Sequence, residues 1–160
     1  TIIFFVQSSN TMKIEKLYSN SELTFYKPIC ETSIKISLVS SRINAGFPSP
    51  AMDFAEEQID LNEELIKNPY STFFVRVSGE SMRNASIYNG DLLVIDKSIE
   101  PVSNKIAICC LNGEFTVKRL LFEKDKITLI AENESFVSTV ITKEDDFEIW
   151  GIVTHAIKKV

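Results

Sequence analysis

Hydrophobic and polar positions follow two regimes along this chain. From about residue 70 onward, apolar runs of strand length alternate with turn-forming residues: Phe73 to Val77, Asp91 to Asp96, Lys105 to Leu111, Glu114 to Leu121, Lys126 to Ala131 and Glu148 to Ile157. Short runs rich in β-branched and aromatic residues, bounded by Gly, Asn, Asp and Ser, signal strands. Asn112-Gly113 separates two of them and is a strong two-residue hairpin signal, because both residues accept the positive φ that the turn needs. Residues 1–45 are instead rich in Ser, Thr and Asn, with β-prone runs at Leu23 to Tyr26 and Ile34 to Val39. They read as an extended arm that adds strands to another surface. Between the two regimes, Ser49-Pro50 pairs an N-cap with a first-turn proline, which predicts a short helix to about Glu57. Asp60 with Glu63 resembles a capping box and predicts a second short helix ending before Asn68-Pro69. The pattern as a whole predicts a mainly β fold with one or two short helices and an extended N-terminal arm.

Length and composition keep this picture. A chain of 160 residues, 44% of them hydrophobic, is most simply one domain plus an arm. No stretch approaches the ~20 apolar residues of a membrane span. Thr1 to Val6 is apolar but short and lacks a basic leader; it reads as an arm strand or as sequence preceding a native start, with Met12 a natural alternative initiator. Charge separates the parts: residues 1–45 carry five Lys/Arg against three Asp/Glu, residues 46–160 twelve against nineteen. The acidic body is a poor candidate for sequence-specific DNA binding, which needs a basic patch. Glu144-Asp145-Asp146 reads as a solvated turn. Cys30, Cys109 and Cys110 have no metal-ligand spacing, and Cys109-Cys110 read as buried strand thiols of a reducing cytosol. The single histidine, His155, reads as structural. No metal or cofactor is expected.

The candidate chemistry lies in a serine and a lysine. Ser81 sits in Val77-Ser78-Gly79-Glu80-Ser81-Met82, where Gly79 allows a tight turn presenting the hydroxyl and nearby N–H groups. Those amides suit an oxyanion hole. Lys118 sits in Gly113-Glu114-Phe115-Thr116-Val117-Lys118-Arg119, a strand-like apolar run. A serine hydroxyl needs a base to become a nucleophile, and burial beside apolar groups favours the neutral lysine that can serve. Upstream, Ala45-Gly46 offers a small-residue peptide bond open to close approach.

From about Asn44 onward the sequence resembles the UmuD-like branch of the LexA-like self-cleaving serine peptidases. The matching segments are Ala45-Gly46-Phe47-Pro48-Ser49-Pro50-Ala51, Gln58-Ile59-Asp60-Leu61-Asn62, Ser78-Gly79-Glu80-Ser81-Met82, Gly90-Asp91-Leu92-Leu93-Val94-Ile95-Asp96, Gly113 to Lys118, and Trp150-Gly151-Ile152-Val153-Thr154-His155. The resemblance implies the coiled β-sheet fold shared with signal peptidases, with residues 46–160 as peptidase domain and 1–45 as the arm that self-cleavage removes. It implies Ser81 as nucleophile, Lys118 as general base, the amides of Glu80 and Ser81 as oxyanion hole, and Ala45–Gly46 as the bond cut. It further implies a cytoplasmic homodimer, stimulation by RecA filaments on single-stranded DNA in the SOS response, and a shortened form serving an error-prone, UmuC-like Y-family polymerase in translesion synthesis. Arg83-Asn84-Ala85-Ser86-Ile87 lacks the glycines expected after the serine, which leaves the shape of that loop open. Two other readings remain: a fragment of a LexA-type repressor, although residues 1–45 show no helix-turn-helix periodicity, or a binding module whose uncut form acts in damage-checkpoint control.

Overall fold

The computed structural model describes residues 13–19, 23–29, 35–39 and 56–160. Its elements are β1 (Lys13–Ser19), β2 (Leu23–Ile29), β3 (Lys35–Val39), β4 (Glu56–Asp60), α1 (Leu61–Leu65), β5 (Thr72–Val77), β6 (Leu92–Asp96), β7 (Ile106–Leu111), β8 (Glu114–Glu123), β9 (Lys126–Ile130), β10 (Thr139–Val140) and β11 (Phe147–Ile157). Nine strands form one sheet in the order β1-β2-β5-β6-β11-β7-β8-β9-β10, and β3 pairs with β4 separately. Every described pairing is antiparallel. The mainly β architecture matches the pattern of the sequence.

The central strands are continuous apolar runs because both of their faces are covered. In β6, Leu93 and Ile95 face a core shared with Val75, Val77, Ile108 and Val117. Val94 faces the other way, toward Phe74 and Ile66 at the end of α1. Further along the sheet, Ala107, Cys109, Leu120, Leu129 and Ile152 form another buried cluster. The long β11 holds the sheet together, pairing with β7 through Phe147 to Ile152 and with β6 through Ile152 to Ile157. Gly151 lies where its register shifts. A Cβ there would sit 2.6 Å from Cγ2 of Ile95 and 3.3 Å from Cγ of Lys97, so this close approach requires glycine.

Local expectations fared differently by region. The six strand runs from Phe73 onward all appear, within a residue or two at each end. The Asn112-Gly113 hairpin forms with both residues at positive φ, 51° and 84°. Asp60 caps α1, its Oδ1 accepting the Asn62 N–H at 2.8 Å. The helix expected to reach about Glu57 does not do so: Glu56 and Glu57 lie in β4, paired with Val39 and Leu38. Its earlier part lies outside the described residues, as do Thr1 to Val6, Met12 and Cys30. β1, β4 and β10 were not expected.

The strands expected to lie along another surface join the body of their own chain. β2 pairs with β5, Leu23 opposite Val77 and Phe25 opposite Val75. Leu23 and Phe25 are buried in the main core. The Phe25 ring lies 4.7 Å from the rings of both Phe115 and Trp150, and the Phe73 ring lies 4.9 Å from Trp150. Lys97 Nζ lies 4.4 Å over the indole.

Candidate active site

Ser81 is delivered by the turn that follows β5. Val77 closes the strand by donating to the Asp91 carbonyl at 3.0 Å and accepting from Gly90 N–H at 2.8 Å. The chain then reverses at Gly79, whose φ of +111° is one that L side chains rarely adopt and glycine takes freely. Its N–H donates to Asn89 Oδ1 at 3.2 Å. Past the serine, Met82 and Ile87 are buried in the main core. Between them runs one 3₁₀ turn, Arg83–Ala85. The Met82 carbonyl accepts the N–H groups of Ala85 and Ile87 at 3.0 and 3.2 Å. Instead of a glycine, Ser86 takes the left-handed conformation at φ 58°. Lys158 steadies it, donating to the Ser86 carbonyl and to Asp91 Oδ2 at 2.8 Å.

Lys118 comes from the middle of β8, where it pairs with Ala107 of β7. Strand alternation puts it on the face of Thr116 and Leu120. Its Nζ donates to Ser81 Oγ at 3.2 Å, to Thr116 Oγ1 at 2.9 Å and to the Val117 carbonyl at 3.0 Å. The serine and lysine, 37 residues apart, are thus in hydrogen-bond contact. Cys109, opposite Thr116, is fully buried. Burial pushes its thiol up to about 12, against the opposing pull of the Lys118 charge, so Cys109 stays a protonated packing group. Cys110 is half-buried.

Other candidates fall away from this contact. His155 is exposed on β11, with Nδ1 3.1 Å from Thr154 Oγ1. Asp145 lies in the acidic turn, its carboxylate taken up by Asn112 Nδ2 and by the N–H and hydroxyl of Thr142. These bonds hold it below the ordinary aspartate range. Among the described residues no cluster of His, Cys, Asp and Glu is able to hold a metal ion, and no helix is long and apolar enough to cross a membrane. Ala45 and Gly46 lie outside the described residues, in the connection 40–55 that joins the paired strands β3 and β4.

Sequence reasoning missed the groups that tie the serine loop to the far end of β9. Asn84 N–H donates to the Glu132 carbonyl at 2.7 Å, Arg119 Nε pairs with Glu132 Oε1, and Asn133 Nδ2 donates to the Glu80 carbonyl at 2.8 Å. The only signal was the polar Glu132-Asn133-Glu134 after a strand, which is what an ordinary exposed turn also looks like.

Residues 37–154 match the family model Peptidase S24-like. The chain belongs to this family. It is 43% identical to Protein ImpA of Escherichia coli over 76% of this chain and 83% of that one. It is 41% identical to Protein MucA of Salmonella typhimurium over 72% and 80% of the two chains. Against the LexA repressor of Xylella fastidiosa it is 32% identical over 71% of this chain and 54% of the repressor. The protein is therefore a UmuD-like member of a family of serine-type self-cleaving peptidases, with an SOS-related role.

Proposed function

We propose that this protein cuts its own Ala45–Gly46 bond with Ser81 as nucleophile and Lys118 as general base. The observation that carries the reading is the 3.2 Å contact between Lys118 Nζ and Ser81 Oγ. As an ammonium, the lysine donates in that contact. Once it loses a proton the contact reverses, and the hydroxyl donates to the free amine. Ser81 Oγ then attacks the Ala45 carbonyl carbon while its proton passes to Lys118. The developing oxyanion is met by the N–H groups of Glu80 and Ser81. Collapse breaks the C–N bond, Lys118 protonates the departing Gly46 amine, and Ala45 is left as an ester on Ser81. Water, deprotonated by the same lysine, hydrolyses the ester and restores the serine.

The partners follow from the same reading. Cutting is stimulated by RecA filaments on single-stranded DNA, which favour the state with the 40–55 segment docked at Ser81. The protein acts as a cytoplasmic homodimer, and the shortened form serves a UmuC-like Y-family polymerase in translesion synthesis. The higher identity to ImpA and MucA than to the LexA repressor favours this reading over a repressor fragment.

Intact mass and N-terminal sequencing after incubation at alkaline pH, with and without RecA filaments, test it. The expected product begins at Gly46 and forms faster as pH rises, because a lysine with an ordinary pKa of about 10.4 becomes neutral in that range. Ser81→Ala and Lys118→Ala chains should stay intact with unchanged melting. A product starting elsewhere, or cleavage by Ser81→Ala at the wild-type rate, overturns the assignment.

A further inference from the structure

The peptide between Glu80 and Ser81 carries both the Glu80 carbonyl and the Ser81 N–H. No described peptide bond is cis, and in a planar trans peptide these two groups point in opposite directions. The Glu80 carbonyl is held from two sides, by Asn133 Nδ2 at 2.8 Å and by Arg83 N–H at 3.3 Å. A carbonyl so held stops the peptide plane from rotating, which aims the Ser81 N–H to the opposite side. That N–H donates to no described residue. A donor on the carbonyl also polarises the peptide and strengthens its N–H as a donor.

Asn133 is itself fixed. Its Oδ1 accepts the Ser135 N–H at 3.0 Å, which sets the amide end, not the oxygen, toward Glu80. The preceding residue is tied on both sides, Glu132 to Arg119 of β8 through its carboxylate and to Asn84 of the serine loop through its carbonyl. The strand that carries Lys118 therefore also braces the residue that holds the peptide of the nucleophile. From this we infer that Asn133 is a positioning residue for self-cleavage: by binding the Glu80 carbonyl it keeps the Ser81 amide aimed into the oxyanion hole. The inference rests on the self-cleavage reading.

The test measures first-order self-cleavage from neutral to alkaline pH in wild type, Asn133→Asp, Asn133→Ala, Asn133→Gln and Ser81→Ala, with thermal melts of each. Asp at this position retains an oxygen for the Ser135 N–H but offers no donor to Glu80, so it separates the turn from the carbonyl contact. Removing a whole oxyanion donor costs about 10²–10³ in rate, so releasing one should cost about tenfold or more in the Asp and Ala variants. The Ala variant should keep the wild-type pH midpoint, because the base is untouched, and Gln, which keeps the amide, should recover part of the rate. Asp and Ala rates within twofold of wild type overturn the inference. So does a Gln variant as slow as Asp with an equal loss of melting temperature, which is the mark of a purely structural role. If Ala does not fold, the Asp rate decides alone. Ser81→Ala distinguishes the two levels: if it cuts, the self-cleavage reading falls, whereas an inert Ser81→Ala beside a fully active Asn133→Asp removes only the role of Asn133.

Discussion

The two members of the Ser81–Lys118 contact are held by opposite means. Lys118 sits inside β8, laddered to β7 at its own position and to β9 from the next residue on. Its backbone has no freedom that the sheet does not share. Ser81 sits in a loop, positioned by a glycine reversal, by Met82 and Ile87 inserted in the core, and by side-chain ties from Lys158 and Asn133. Lys118 is thus fixed by the fold as a whole, and Ser81 by a few removable contacts. Such a division leaves the serine adjustable without disturbing the sheet.

The sharpest way to break the comparison is a matched pair of core truncations. Met82→Ala and Leu120→Ala each remove a buried side chain and should each cost about 2–5 kcal/mol in urea unfolding. Well below melting, only Met82→Ala should slow self-cleavage, by about tenfold or more, since small misplacements of a reacting group cost up to about 10²-fold. Equal effects on rate would mean that the loop is no more adjustable than the strand.

Smaller effects sharpen it further. Gly151→Ala drives a methyl group into buried Ile95, and overpacking of this kind costs about 1–3 kcal/mol. Calorimetry should show that loss, with cleavage following stability alone because β11 holds neither member of the contact. Lys158→Ala takes the partly exposed cation away from the carboxylate of Asp91, which is buried. It should cost about 1–3 kcal/mol, because a buried acceptor loses its donor, and slow cleavage beyond that loss, because Ser86 loses its tie. The smallest effect lies at Asp96. Burial there opposes ionisation, but the hydroxyls of Ser71 and Ser98 and the Ser98 N–H outweigh it and hold the carboxyl below the ordinary aspartate range. A depressed carboxyl contributes stability above its unfolded value and loses it as pH falls through the folded value. Ser71→Ala should therefore lower stability slightly at neutral pH, where that contribution is fully present, with the gap to wild type closing as pH falls through the folded value, and leave cleavage almost unchanged.

What the sequence made legible follows the same division. The strands from Phe73 onward could be read because each carries its own apolar pattern, and Asn112-Gly113 declared its turn. β4 could not: Glu56-Glu57-Gln58 has no strand propensity and is extended because β3 lies beside it, a tertiary effect that outweighs local preference. The contact between Ser81 and Lys118 was reachable only through the family resemblance, since taken alone the one looks like a turn serine and the other like a strand lysine. Asn133 was not, because its contact with Glu80 joins residues 53 apart through an otherwise ordinary Asx turn.

The docking of β2 gives the proposed cut a further consequence. While the chain is whole, Phe25 is tethered to Phe115 and Trp150, and its binding is an intramolecular event at high effective concentration. Hydrolysis at Ala45–Gly46 would leave every one of those contacts in place and change only the tether. The fragment would then remain bound until dilution or a competitor for the β5 edge removed it. Bond breakage and the release of its product would be separate events with separate clocks, and the second would depend on protein concentration where the first need not. Trp150 is the only tryptophan in the chain and touches the departing ring, so its fluorescence would time the release while mass analysis times the cut.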